Sequence, residues 1–269
     1  MTPDLVAELE AFPGVASVWF GPFGGPARFA WAEHETHYAA STMKVGVMVA
    51  AWRAIPDLDR PVLVHNEHRS AAPAGEVFGN DPAEDGDPAV WGKMGSAVPL
   101  RWLIQRMIVR SSNLATNLVL GALGNDFEAV NRVWRDAGAT RAHTDRGIED
   151  GQAREAGITN EVTAFDLCLL MGSLATGKLA GEAATREMLD ILCAQEWRDD
   201  FALGLPDGAR AAMKNGWITG VRHSAAAIFP DDSEPYALAV CTTGDLPDEQ
   251  ACALLTRVAE ASWAQRDLP

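Results

Sequence analysis

Apolar and polar positions along the chain fall into blocks with different periods. Val15-Ala16-Ser17-Val18-Trp19-Phe20 and residues 27–31 are apolar runs around Gly21-Pro22-Phe23-Gly24-Gly25-Pro26, the pattern of a hairpin over 14–31. From 41 to 54 the spacing turns helical, with Met43, Val47, Ala50 and Ala51 on one face, and Pro56 ends it. Residues 66–94 are rich in Gly, Pro, Ala, Asp and Glu and read as a surface insertion. Helical periods return at 100–109, 113–123 and 127–137. A polar loop covers 141–160, and two more helices cover 162–175 and 184–196. Three strands at 209–214, 223–229 and 236–242 and an amphipathic helix at 248–265 close the chain.

This order predicts a mixed α/β (α+β) fold. An antiparallel sheet drawn from both chain ends is flanked by helices, with an all-helical lobe inserted between them. The α/β part would be 1–55 with 205–269, and the helical part 56–204, in one unit spanning 1–269.

Composition narrows the function classes. The 269 residues are 48% hydrophobic and 22% charged, with a net charge of −15. That balance argues against nucleic-acid partners, which need clustered Lys and Arg, and against anionic membrane surfaces. No stretch is long and apolar enough to span a bilayer. Residues 1–10 carry three acids and no base, unlike a secretory leader. The expected setting is cytoplasmic, or periplasmic or secreted if a leader has been removed. A monomer acting on a small molecule is expected. Cys168, Cys193, Cys241 and Cys252 show no metal-ligand spacing and read as reduced core residues. No metal or other cofactor is expected.

Three short clusters carry candidate chemistry. Ser41-Thr42-Met43-Lys44 sets a hydroxyl and an amine three residues apart, so they share one helix face. A lysine with a lowered pKa can take the serine proton. The chain has only four lysines and ten serines, which makes the pairing mildly surprising. Ser111-Ser112-Asn113 offers a hydroxyl and a carboxamide, or simply a helix N-cap. Lys214-Asn215-Gly216 ends a strand with a cation and a close-approach glycine, or with a plain turn.

In this order, Ser-x-x-Lys, Ser-x-Asn and Lys-x-Gly resemble the penicillin-binding proteins and class A β-lactamases. The resemblance covers roughly residues 10–265. The first interval is longer than in that family, and the 66–94 segment accounts for the excess. The resemblance implies Ser41 as the acylated nucleophile, Lys44 as its proton partner and Ser111 as the donor to the leaving nitrogen. Asn113 would bind a side-chain amide. Lys214 would support Ser111 and attract a carboxylate. Gly216 would allow close backbone approach, and the N–H groups of Ser41 and Trp217 would form the oxyanion hole.

Two positions depart from the family pattern. Asn215 stands where the family has Thr or Ser to hold a carboxylate. Glu149, the best candidate to activate a deacylating water, follows one residue later than the pattern asks, with Asp150 a second choice. The expected function is therefore a serine acyl-enzyme hydrolase that opens a β-lactam. The alternatives are an intracellular esterase, amidase or acyltransferase, a slowly deacylating penicillin-binding protein, or a non-catalytic sensor on the same scaffold.

Overall fold

The computed structural model describes residues 1–267. Helix α1 (Pro3–Glu10) leads into strands β1 (Gly14–Pro22) and β2 (Phe29–Trp31). After the Ala40–Met43 turn come helices α2 (Lys44–Ala54), α3 (Leu100–Val109), α4 (Asn113–Ala122), α5 (Phe127–Ala137), α6 (Ala164–Ala175) and α7 (Glu182–Cys193). Strands β3 (Arg210–Ile218), β4 (Val221–Phe229) and β5 (Tyr236–Gly244) and helix α8 (Asp248–Ala264) complete the fold. The five strands form one antiparallel sheet in the order β3-β4-β5-β1-β2, mixing both chain ends as expected.

The sheet sorts its side chains by strand alternation. On β5, Tyr236, Leu238 and Val240 face α1 and α8, together with Leu5, Leu255 and Val258. Ala237, Ala239 and Cys241 face the helical side, with Leu167, Cys168 and Met171 of α6. The small alanines on that face let α6 lie close to the strands, while the large residues fill the other layer.

Helix α2 differs from its expected form. Every residue from Lys44 to Ala51 is buried, so it has no solvent face and runs as a core helix. Ser41 precedes it in a 3₁₀ turn rather than within the helix. Strand β3 also runs further than expected, because Asn215 to Ile218 pair with Ser224 to Val221. Lys214-Asn215-Gly216 is therefore mid-strand. Within 141–160, Asp150 caps a short helix over Gly151–Glu155 by accepting from Ala153 N–H.

Much of 66–94 is exposed, but the segment is not detached. Ser70, Asn80, Asp85 and Asp87 are buried and bind distant parts of the chain. Asp87 takes both Nε and Nη2 of Arg106, at 2.5 and 2.6 Å. Cys168, Cys241 and Cys252 are buried and Cys193 is half-buried, all as free thiols.

Candidate active site

A cleft of about 1030 Å³ lies between the sheet edge and the helical side. Ser41, Ser111, Asn113, Glu149 and Trp217 line it. Lys44 and Lys214 sit behind this wall, fully buried.

The serine pair in Ser111-Ser112-Asn113 divides its work. Ser112 is the N-cap of α4 and accepts from Ala115 N–H at 3.1 Å. That satisfies the helix end and leaves the Ser111 hydroxyl for other use. Ser111 is held at φ 57, a costly conformation for a residue with a side chain. Ala40 (φ 45) and Glu149 (φ 64) are held likewise, so three strained residues ring the cleft.

Both lysines converge on Ser111. Lys44 Nζ donates to Ser111 O at 2.7 Å, Asn113 Oδ1 at 2.8 Å and Ser111 Oγ at 3.2 Å. Lys214 Nζ donates to Ser111 Oγ at 3.1 Å and Asn215 O at 2.7 Å. A hydroxyl has two lone pairs, so Ser111 Oγ can accept from both amines and aim its own proton elsewhere. Burial pushes the Lys44 amine down to about 7 against the opposing pull of Asp85 and Glu149. Burial, with the Lys44 charge next, holds Lys214 well below the usual amine value. A neutral amine can act as a base near neutral pH.

Gly216 brings the strand against Ser41. A Cβ there would lie 2.6 Å from Ser41 N and 3.0 Å from Thr42 N. Any side chain would push β3 away from the turn that holds Ser41. Trp217 is the next residue and forms part of the cleft wall.

The remaining predicted residues are placed less simply. Asn215 is buried away from the cleft. Its Nδ2 donates to Trp197 O at 3.3 Å and Asp200 Oδ2 at 3.4 Å, and its Oδ1 accepts from Lys214 at 3.4 Å. It braces Lys214 rather than presenting a donor to the cleft. Glu149 does reach the cleft, where its Oε1 accepts from Asn113 Nδ2 and its Oε2 from Asp81 N–H, both at 2.7 Å. The donor of Asn113 is thus already engaged. Asp150 accepts from Ser70 Oγ, Ala71 N–H and Ala153 N–H, so it serves to hold the loop.

Several contributors had no sequence motif. Asp85 accepts from Ser112 Oγ, Leu114 N–H and Trp91 Nε1 at 2.9–3.1 Å, fixing the start of α4. Asn117 holds Ile148 by both its N–H and C=O, at 3.0 and 2.8 Å, just before Glu149. Asp200 accepts from Arg222 at 2.8 Å and Ser224 at 3.1 Å. Asp199, Asp248 and Cys252 cluster as metal-type donors, but Arg222 supplies the cation between the two carboxylates.

The model of the Beta-lactamase enzyme family matches residues 2–265. A β-lactamase of Streptomyces fradiae is 33% identical over 166 residues, which cover 60% of this chain and 52% of that protein. The chain therefore spans about half the length of the curated relatives it matches. Among solved structures, a β-lactamase of Sphaerobacter thermophilus superposes with TM-score 0.78 at 23% identity, covering 97% of this chain and 95% of that one. A mutant of PBP-A, as an acyl-enzyme complex with penicillin G, superposes with TM-score 0.80 at 21% identity, covering 98% of this chain and 96% of that one. These likenesses show a shared fold. The family match extends over nearly the whole chain, which belongs to the Beta-lactamase enzyme family.

Proposed function

We propose that this member of the Beta-lactamase enzyme family is a serine hydrolase that opens a β-lactam amide through an acyl intermediate on Ser41. The observation that carries this reading is the convergence of two buried amines on the Ser111 hydroxyl, in the wall of the cleft that holds Ser41.

Neutral Lys44 takes the proton as Ser41 Oγ attacks the lactam carbonyl carbon. The N–H groups of Ser41 and Trp217 stabilise the oxyanion, a term often worth several kcal/mol (~3). As the tetrahedral intermediate collapses, the C–N bond breaks and the ring nitrogen takes a proton through Ser111. Lys214 keeps Ser111 oriented. A water then attacks the ester, giving its proton to Glu149 and releasing the opened acid. Asn113 binds the acyl side-chain amide once Glu149 yields its N–H.

The engaged state of Glu149 supports a second reading, in which acylation is efficient and release is slow. A chromogenic cephalosporin separates the two. Steady turnover by the wild type and none by Ser41→Ala is the expected result. A persistent penicillin adduct on Ser41 with little turnover selects slow release. Neither turnover nor adduct would remove both readings.

A further inference from the structure

Among the described residues, two arginines are buried, and both line the cleft: Arg146 at 4% exposure and Arg222 at 2%. Each lies over an aromatic ring, Arg146 at 5.2 Å from Tyr38 and Arg222 at 5.1 Å from Trp217. Their charges are treated in opposite ways. Arg222 is surrounded by Asp199 at 2.7 Å, Asp200 at 2.8 Å and Asp248 at 3.3 Å. Among the described residues Arg146 has no carboxylate partner. Its Nη1 donates to Gly147 O at 3.2 Å, and its Nε is buried with no partner at all.

Local acids do not fill the gap. Asp145 accepts from Asn131 at 2.8 Å, Glu149 from Asn113 and Asp81, and Asp150 from Ser70, Ala71 and Ala153. A guanidinium stays charged at any ordinary pH, so burial cannot neutralise it. In a chain of net charge −15, an unpaired buried cation in a cleft wall is an exception that a ligand would resolve. Arg154, exposed on the same wall, adds a second cation with no ion pair among the described residues.

We propose that Arg146, with Arg154 at the rim, forms a subsite for a carboxylate on the acyl side chain of the substrate. The planar fork of Arg146 suits a carboxylate, and its wall is the one that carries Glu149, beside Asn113. The placement on the acyl side rests on the acyl-enzyme reading above. The cation itself does not.

The test compares benzylpenicillin with its side-chain α-carboxy analogue, reading Ser41 acylation by intact mass over time. Wild type should favour the carboxy analogue. In Arg146→Met, which keeps an apolar stem over Tyr38, the anionic-to-neutral rate ratio should fall about ten- to a hundredfold, as for a lost charge-assisted hydrogen bond. An unchanged ratio overturns the subsite. Calorimetric titration of the wild type with phenylmalonate monoamide and neutral phenylacetamide needs neither acylation nor a folded variant. Tighter binding of the monoamide, by about tenfold or more, supports the subsite, and equal binding overturns it. No acylation by either penicillin, together with retained preference for the monoamide, would sink the hydrolase reading and leave the subsite standing.

Discussion

The two walls of the cleft are built to different standards. On the strand wall, Lys214 is held by Ser111 and Asn215, Asn215 by Asp200, and Asp200 by Arg222 and Ser224. Each link is buried and lies on or against regular structure. On the loop wall, Glu149 sits at a left-handed φ and is tied to Asn113, Asp150 is tied to Ser70 and the backbone, and Arg146 is unpaired. The first wall is preorganised, as the proposed attack on a carbonyl requires. The second is organised around holding itself together, so under that proposal release of the acyl group is the step left open to variation.

Removing the base should break the comparison most severely. Lys44→Ala should lower the acylation rate by about a hundred- to ten-thousandfold, read as adduct formation by intact mass. Gly216→Ala should cost about a hundred- to a thousandfold, because the new Cβ meets Ser41 N. A thermal melt would separate this from unfolding. Glu149→Gln tests the loop wall, with acylation followed separately because the Glu149 charge also acts on Lys44. If Glu149 activates the water, steady turnover should fall by about tenfold or more, while a burst of about one product per enzyme persists. An unchanged steady rate would assign release to another group.

The most diagnostic effect, about tenfold for one pH unit, is on pH. With Lys44 at about 7, acylation should fall by about tenfold per pH unit below that value and level off above it. A rate independent of pH between 5 and 8 would contradict Lys44 as the base. The same shift affects stability with a definite sign. Between about 7 and the unperturbed 10.5 the unfolded chain binds the Lys44 proton and the folded chain does not. The Lys44 contribution to stability therefore rises with pH across that window, and the full cost of burying the ammonium applies below it.

The strand wall was far more legible in the sequence than the loop wall. Apolar runs over Tyr236 to Thr242 and Val15 to Phe20 announce strands, and the three clusters sit on or beside regular elements at fixed spacing. The Ser111-Ser112-Asn113 start was visible as a cap, although only the structure shows that Ser112 caps and Ser111 is left free. The 66–94 segment has the composition of a solvated loop, which hides its contacts. What matters there is that Asp85 accepts from Leu114 N–H and Asp87 pairs with Arg106. Such partners carry no period, and nothing local to Asp85 names them. Arg146 was hidden for the converse reason. The sequence places three acids within four residues of it, and only the folded chain shows all three committed elsewhere.

A sheet that draws strands from both ends of the chain also sets the order in which this protein can be assembled. During synthesis α2 can be covered by α3 to α6 long before residues 210–244 leave the ribosome. Ser41, however, meets Gly216 only when β3 has docked, and β1 meets β5 only at the end. Contacts this distant in sequence form late and slowly. The nascent protein therefore carries Ser41, the proposed nucleophile, before its cleft exists, and the site is complete only when the last strands close the sheet.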